Sequence, residues 1–312
     1  MTGRPLLALA SLLGAAAWGC GVGSLVPAGA PLRPSEAAGG RDTAPQLAAR
    51  GARVYSEYCA GCHGEKGDGQ GPAARFLDPK PRDFTRGLFK FAGVASGQLP
   101  RDEDLMRTLV RGLPGSSMPS WALLSDSERR AVVAYLKTLS PAWSGQRPGA
   151  PVAVSENPYA GGGPPEIQSA VDRGRVVYHV VATCWQCHAT YASQEDVDRM
   201  VAGEKSEAVT LRPNAGRPEM VTDAWDRPLR PTDFPVDKLK NGSAIEDIYL
   251  TIASGIGGTA MPTWKDGLEE KDLWALSYYV KSLADRRWRR HQAIPTHGAA
   301  APAVPGPSGG EP

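Results

Sequence analysis

The chain has 312 residues, a length that suits about two domains, and its 41% hydrophobic content is that of an ordinary globular protein. The net charge of +2 is too small to argue for a nucleic-acid partner. With 36 Gly and 28 Pro, much of the chain is predicted to lie in turns and loops.

In chain order, the first element is an export signal over residues 1–19. Arg4 supplies the positive start, and the apolar stretch Leu6 to Ala17 is far short of the roughly 20 residues a bilayer span needs. Small residues follow and lead to Cys20, a pattern that resembles a bacterial lipoprotein signal, in which that Cys becomes the lipidated first residue. Ala17 and Trp18 depart from the commoner pattern, and the alternative is ordinary cleavage nearby that leaves a soluble protein. No later segment is apolar enough to span a membrane, so any anchor is the lipid on Cys20. Residues 20–45 are rich in Ala, Gly and Pro and are predicted to be a flexible tether. Two patterned regions follow, 46–140 and 166–291, separated by a Pro/Gly-rich linker over 141–165 of the same flexible character as the tether. A Pro/Ala/Gly tail, 292–312, closes the chain and is predicted to be disordered.

The two patterned regions repeat one another. EDLMRTLVRGLPGSSMPSW (Glu103 to Trp121) aligns without a gap to EDIYLTIASGIGGTAMPTW (Glu246 to Trp264), with eight of nineteen positions identical. RGARVY (Arg50 to Tyr55) matches RGRVVY (Arg173 to Tyr178), AYLKTL (Ala134 to Leu139) matches YYVKSL (Tyr278 to Leu283), and PRDF (Pro81 to Phe84) echoes PTDF (Pro231 to Phe234). One module is used twice. Each reads as three to four short helices with long loops and no sustained strand alternation. Gln46 to Tyr58 forms the first helix. Ser125 with Glu128 opens another that ends at Leu139. Ser243 with Glu246 opens a helix at Ile248 to Ser254, and Asp266 with Glu269 opens one at Leu268 to Leu283. Such modules bury little apolar area and are marginal unless something fills the middle.

CAGCH (Cys59 to His63) and CWQCH (Cys184 to His188) suggest what fills it. Three readings compete for this spacing: a redox disulfide, half of a zinc site, and covalent haem attachment. The disulfide explains neither the adjacent His nor the repetition. Zinc lacks a fourth ligand, because His179, His291 and His297 are scattered. Haem uses every group: Cys59 and Cys62, or Cys184 and Cys187, form thioethers to the porphyrin, while His63 or His188 binds the iron. The five Cys then divide into two pairs for two haem c and Cys20 for lipid.

The second axial ligand decides between carrier and catalyst. Met118 and Met261 hold the same register in the repeat, each followed by Pro and preceded by Gly and small residues. Pro fixes its own φ and holds the preceding residue extended, which restrains the thioether. Met106 has Tyr249 at its repeat position and reads as packing. Met220 stays open as a rival for the second haem. A soft neutral sulfur favours ferrous iron, and filling both axial sites leaves no open position for a substrate.

These residues resemble class I cytochrome c, duplicated into a dihaem protein, over about 46–140 and 166–285. The resemblance rests on Gly51/Tyr55 and Gly174/Tyr178, the two C-x-x-C-H motifs, the two Met-Pro motifs and the YLK/YVK helices. It implies an all-α fold of two cytochrome c-like domains, each wrapped around a covalently bound haem c. In each, the first and last helices would cross, near Gly51 and Tyr135 and near Gly174 and Tyr279. Trp121 and Trp264 are expected to line the pockets, and Arg82 and Arg230 to face haem propionates. Two departures stand out: Tyr178 precedes its Cys by six residues where Tyr55 precedes by four, and His188 to Met261 spans 73 residues against 55 for His63 to Met118. The extra segment, about 191–230, would cover a haem face or dock a partner.

The expected function is one-electron transfer between redox proteins, or with a membrane respiratory complex, at the periplasmic face of a bacterial membrane. The rivals are a dihaem enzyme, peroxidase-like or thiosulfate dehydrogenase-like, and a fixed subunit of a respiratory complex. A peroxidase needs a labile sixth site and a Cys-ligated haem needs a spare Cys, and the sequence offers neither. Residues 46–140 carry 14 Lys/Arg against 10 Asp/Glu, whereas 166–285 carry 13 against 19. That asymmetry suits either a solvated surface or opposite faces for two partners.

Overall fold

A computed structural model describes residues 42–292. The expected export signal, Cys20, nearly all of the tether and all of the C-terminal tail but Gln292 lie outside the described residues.

The first module opens with α1 (Ala44–Tyr58), which begins two residues before Gln46 because Thr43 caps it: the Thr43 amide donates to Gln46 Oε1 at 2.9 Å, and Pro45 occupies the first turn. Next come α2 (Ala60–His63), α3 (Asp102–Arg111) and α4 (Asp126–Thr138). Ser125 and Glu128 form the expected capping box on α4, with the Ser125 amide donating to Glu128 Oε2 at 2.7 Å. A short α5 (Ala142–Gly145) leads into the second module, which comprises α6 (Pro164–Val176), α7 (Gln194–Glu204), α8 (Ile245–Ser254) and α9 (Glu270–Gln292). Among the described residues the one sheet is a two-residue antiparallel ribbon, β1 (Val221–Thr222) with β2 (Pro228–Leu229), so the fold is all-α.

Two helix starts differ from the sequence expectation. Ser243 does not cap: α8 has Ala244 at its cap with no side-chain bond, and the first-turn Asp247 is drawn to Arg111 at 2.6 Å. Asp266 and Leu268 stay in a turn, because the Trp264 carbonyl accepts from the amides of both Gly267 and Leu268; α9 starts only at Glu270.

Within each module the first and last helices cross at a glycine. A Cβ on Gly51 would fall 1.9 Å from the Ala131 carbonyl oxygen and 2.9 Å from Tyr135 Cβ; on Gly174 it would fall 2.0 Å from Ala275 O and 2.8 Å from Tyr279 Cβ. Only a residue without a side chain permits backbones this close. Around the first crossing the core gathers Val54, Tyr55, Leu105, Leu109, Val132 and Leu136. Around the second it gathers Tyr178, Trp185, Tyr249, Ile252, Trp274 and Leu283.

The segment expected to be a flexible linker is packed. The Gly149 amide donates to Leu99 O (2.9 Å) and the Val152 amide to Gly93 O (2.8 Å), tying it to the first module. Trp274 Nε1 donates to Ser155 Oγ (3.1 Å) and Asn157 Nδ2 to Tyr278 Oη (3.1 Å), tying it to the second. Composition predicts backbone freedom, but here side-chain and ladder-like partners on both modules remove it.

Candidate functional site

The two five-residue motifs adopt the same backbone turn. The His63 amide donates to Cys59 O at 2.9 Å, and the His188 amide to Cys184 O at 2.9 Å. One helical turn therefore brings two free thiols and an imidazole to one patch in each module. As free thiols, Cys59 is pushed up to about 11 and Cys184 up to about 12 by burial, which marks the apolar surroundings of both sulfurs. Among the described residues no group of three or more His, Cys, Asp or Glu side chains converges on a metal-ion site.

Each imidazole is oriented by the PRDF/PTDF echo. His63 Nδ1 lies 3.0 Å from Arg82 O, and His188 Nδ1 lies 2.9 Å from Thr232 O. A carbonyl only accepts, so Nδ1 carries the proton and Nε2 keeps its lone pair for a metal. Desolvation lowers the pKa of both imidazoles and favours that neutral form. Two residues beyond each carbonyl, a phenyl ring stacks on the imidazole: Phe84 on His63 at 4.6 Å and Phe234 on His188 at 4.9 Å. The echo marked these positions in the sequence, but not what the carbonyls and rings do.

The methionine loops repeat bond for bond. The Leu113 amide donates to Met118 O (3.0 Å) and the Ile256 amide to Met261 O (3.2 Å). Ser116 Oγ donates to Leu113 O and accepts from the Met118 amide; Thr259 Oγ1 does the same between Ile256 O and the Met261 amide. Gly112 (φ 64°) and Gly255 (φ 74°) end α3 and α8 in a conformation closed to other residues. A Cβ on either would strike the backbone of the Pro that follows the Met.

Met118 packs against the same apolar cluster as Cys59 and Trp121, and Met261 against the same cluster as Cys184 and Trp264. In the second module a mainly apolar pocket, partly open to solvent, has His188, Phe234, Ile252, Met261 and Val280 on its wall. Met220 is 54% exposed and does not line it. Trp121 packs against Tyr58, its Nε1 buried without a partner. The neutral lone-pair nitrogens, the paired thiols and the methionines in the same clusters suit a haem covalently held in each module, and in the second the apolar pocket adds to the fit.

The two arginines differ. Arg82 is partly buried with its guanidinium over Trp225 at 4.0 Å, and desolvation lowers it to about 10. Arg230 is exposed and makes bidentate contacts with Asp237 at 2.8 and 2.9 Å. Trp225 belongs to the segment peculiar to the second module. It packs on the first module, where Lys90 pairs with Asp223 at 3.2 Å.

The two-residue offset between Tyr178 and Cys184 is absorbed by a π-helical turn, Val177–Val181, followed by Thr183 at φ 45°. The tyrosines still reach the same place. Tyr55 Oη donates to Gly64 O (2.8 Å) and Tyr178 Oη to Ala189 O (2.6 Å), each the residue after its histidine. The π turn also buries His179, whose Nδ1 lies 2.8 Å from Arg175 O and which desolvation lowers to about 4.

Residues 48–140 match the family model for cytochrome c, and residues 169–280 match that for cytochrome c oxidase, cbb3-type, subunit III. No curated protein matches the chain. A solved chain of the Kuenenia stuttgartiensis reducing HAO-like protein complex Kustc0457/Kustc0458 is 34% identical, with a TM-score of 0.61; the match covers 75% of this chain and 95% of that one.

Proposed function

This chain belongs to the cytochrome c family as a tandem of two haem-binding domains, and from that footing we propose that it carries single electrons between redox proteins with both irons His/Met ligated. Each domain holds one covalently bound haem c, and the chain works in haem-based electron transfer. When bound, the haem supplies an iron that changes charge by one electron. Cys59 and Cys62 fix it in the first domain, Cys184 and Cys187 in the second. His63 and His188 offer Nε2 to the irons, held by the Arg82 and Thr232 carbonyls. Met118 and Met261 would supply thioether sulfur to the same irons.

The observation that carries this reading is the bond-for-bond identity of the two methionine loops. A Met that only packed would not need the same three hydrogen bonds twice. Filled axial positions leave substrate no entry and favour the ferrous state, which suits a carrier over an enzyme. Arg82 and Trp121 are the side chains we assign to the propionate end and wall of the first pocket; Trp264 has the equivalent place in the second, and Arg230, engaged by Asp237, has the weaker claim. We place the protein in the periplasm, anchored by lipid on Cys20, with redox proteins or a respiratory complex as partners. The similar Kuenenia chain comes from a reducing HAO-like protein complex, which favours a second reading in which this chain acts as a fixed complex subunit.

The test is the oxidised visible spectrum of the mature holoprotein. A far-red thioether-to-iron charge-transfer band sized for two haems is expected, with Met118→Ala and Met261→Ala each removing half. High-spin five-coordinate iron in the wild type, or an undiminished band in Met261→Ala, overturns the ligand assignment. Co-purification from membranes in mild detergent separates the free carrier from the complex subunit.

A further inference from the structure

We infer that the first domain supplies part of the wall of the second domain's haem pocket through Phe91, which makes Phe91 a positioning residue that sets the second haem's potential. The inference rests on the two-haem reading above.

The pocket beside His188 and Met261 is lined almost wholly by second-domain residues, and Phe91 is the first-domain residue among them. Phe91 is held there by a docked segment. The Gly257 amide donates to Lys90 O at 3.0 Å, and the Ser96 amide donates to Thr263 Oγ1 at 2.9 Å. Both second-domain partners belong to the loop that carries Met261. The approach is close: a Cβ on Gly257 would fall 2.2 Å from Phe89 O. The same segment reaches back into the first site, because Phe89 stacks on Phe84 at 5.9 Å and Phe84 on the His63 imidazole at 4.6 Å. A packed run of rings thus leads from the first axial histidine to the backbone stretch that walls the second pocket.

An apolar wall keeps water from the haem edge and disfavours the more highly charged ferric state. Truncating Phe91 admits water and stabilises the ferric form. Pushing the segment away from the Gly257 side does the same without touching Phe91.

The experiment is a spectroelectrochemical titration of the full-length holoprotein. Phe91→Ala is expected to lower one of the two midpoint potentials and leave the other in place. In a Met118→Ala background the surviving far-red band reports the second haem, and its midpoint should fall on adding Phe91→Ala. Gly257→Ala should shift the same haem in the same direction, and Phe91→Leu, which keeps an apolar wall, should restore the wild-type value. Unmoved potentials, an equal shift at both haems, or a Gly257→Ala protein with a wild-type second haem overturns the inference. Loss of the far-red band from the wild-type protein would instead be a failure of the ligand assignment.

Discussion

The two domains share the hydrogen bonds that set their histidines and methionine loops and differ in how the chain arrives there. The Met118 and Met261 loops repeat hydrogen bond for hydrogen bond, and the histidine carbonyl partners hold the same place in PRDF and PTDF. Yet the second domain carries two extra residues before its first thiol and eighteen more between His188 and Met261 than the first has between His63 and Met118 (73 against 55). The first insertion is taken up as a π turn, which lets Tyr178 donate to the carbonyl after His188 just as Tyr55 does after His63. The longer one is spent on the other domain: Asp223 and Trp225 sit on Lys90 and Arg82. Insertions are accepted where the backbone can bulge or reach outward, and excluded from the five-residue turn where two thiols and an imidazole must meet one haem.

That comparison can be tested hardest at the helix crossings. Gly51→Val and Gly174→Val each force a side chain into a carbonyl less than 2.1 Å from the Cβ position. Each should cost about 3 kcal/mol or more and deplete holoprotein yield, equally in both domains. A Gly174→Val protein that melts like the wild type would show that the second crossing is not the same joint as the first.

A smaller and deliberately unequal effect is expected at the repeat pair Arg50 and Arg173. Arg173 forks onto Asp272 at 2.7 and 2.6 Å and adds Glu204, fastening α6 to α9. Arg50 reaches only the Ser127 carbonyl and the exposed Asp42. Arg173→Met should lower stability by about 2 kcal/mol, and Arg50→Met by less than about 1 kcal/mol, in guanidinium denaturation followed domain by domain. Equal losses would remove this distinction between the domains.

The smallest effect sharpens the likeness. Tyr55→Phe and Tyr178→Phe each remove one buried hydroxyl bond and should each cost about 1 kcal/mol. Matching midpoint shifts would mean that the π turn fully restores the geometry. A negligible shift for Tyr178→Phe alone would mean that it does not.

Much of the site was legible in the residues themselves. C-x-x-C-H is chemistry compressed into one helical turn, so spacing alone carries it, and the duplicated Met-Pro register separates two methionines from the other four. The helix crossings were legible through the glycines that permit them. The Ser243 and Asp266 caps were misread because a capping pair is a local preference that a neighbouring ion pair or a competing turn can override. The 141–165 segment was misread because Pro and Gly report backbone freedom in isolation, while the partners that remove it, Leu99, Gly93, Tyr278 and Trp274, lie far away in sequence.

The sequence by itself determined the cofactor chemistry, the duplication and the all-α class, because each is written in short-range spacing that one turn or one helix face can read. Tertiary structure alone decided which carbonyls orient the histidines, how the offset before Cys184 is absorbed, and that Phe91 and Trp225 cross between domains. Those are contacts between residues tens of positions apart or more. The energy that selects them comes from packing and desolvation in the folded chain, which no local pattern encodes.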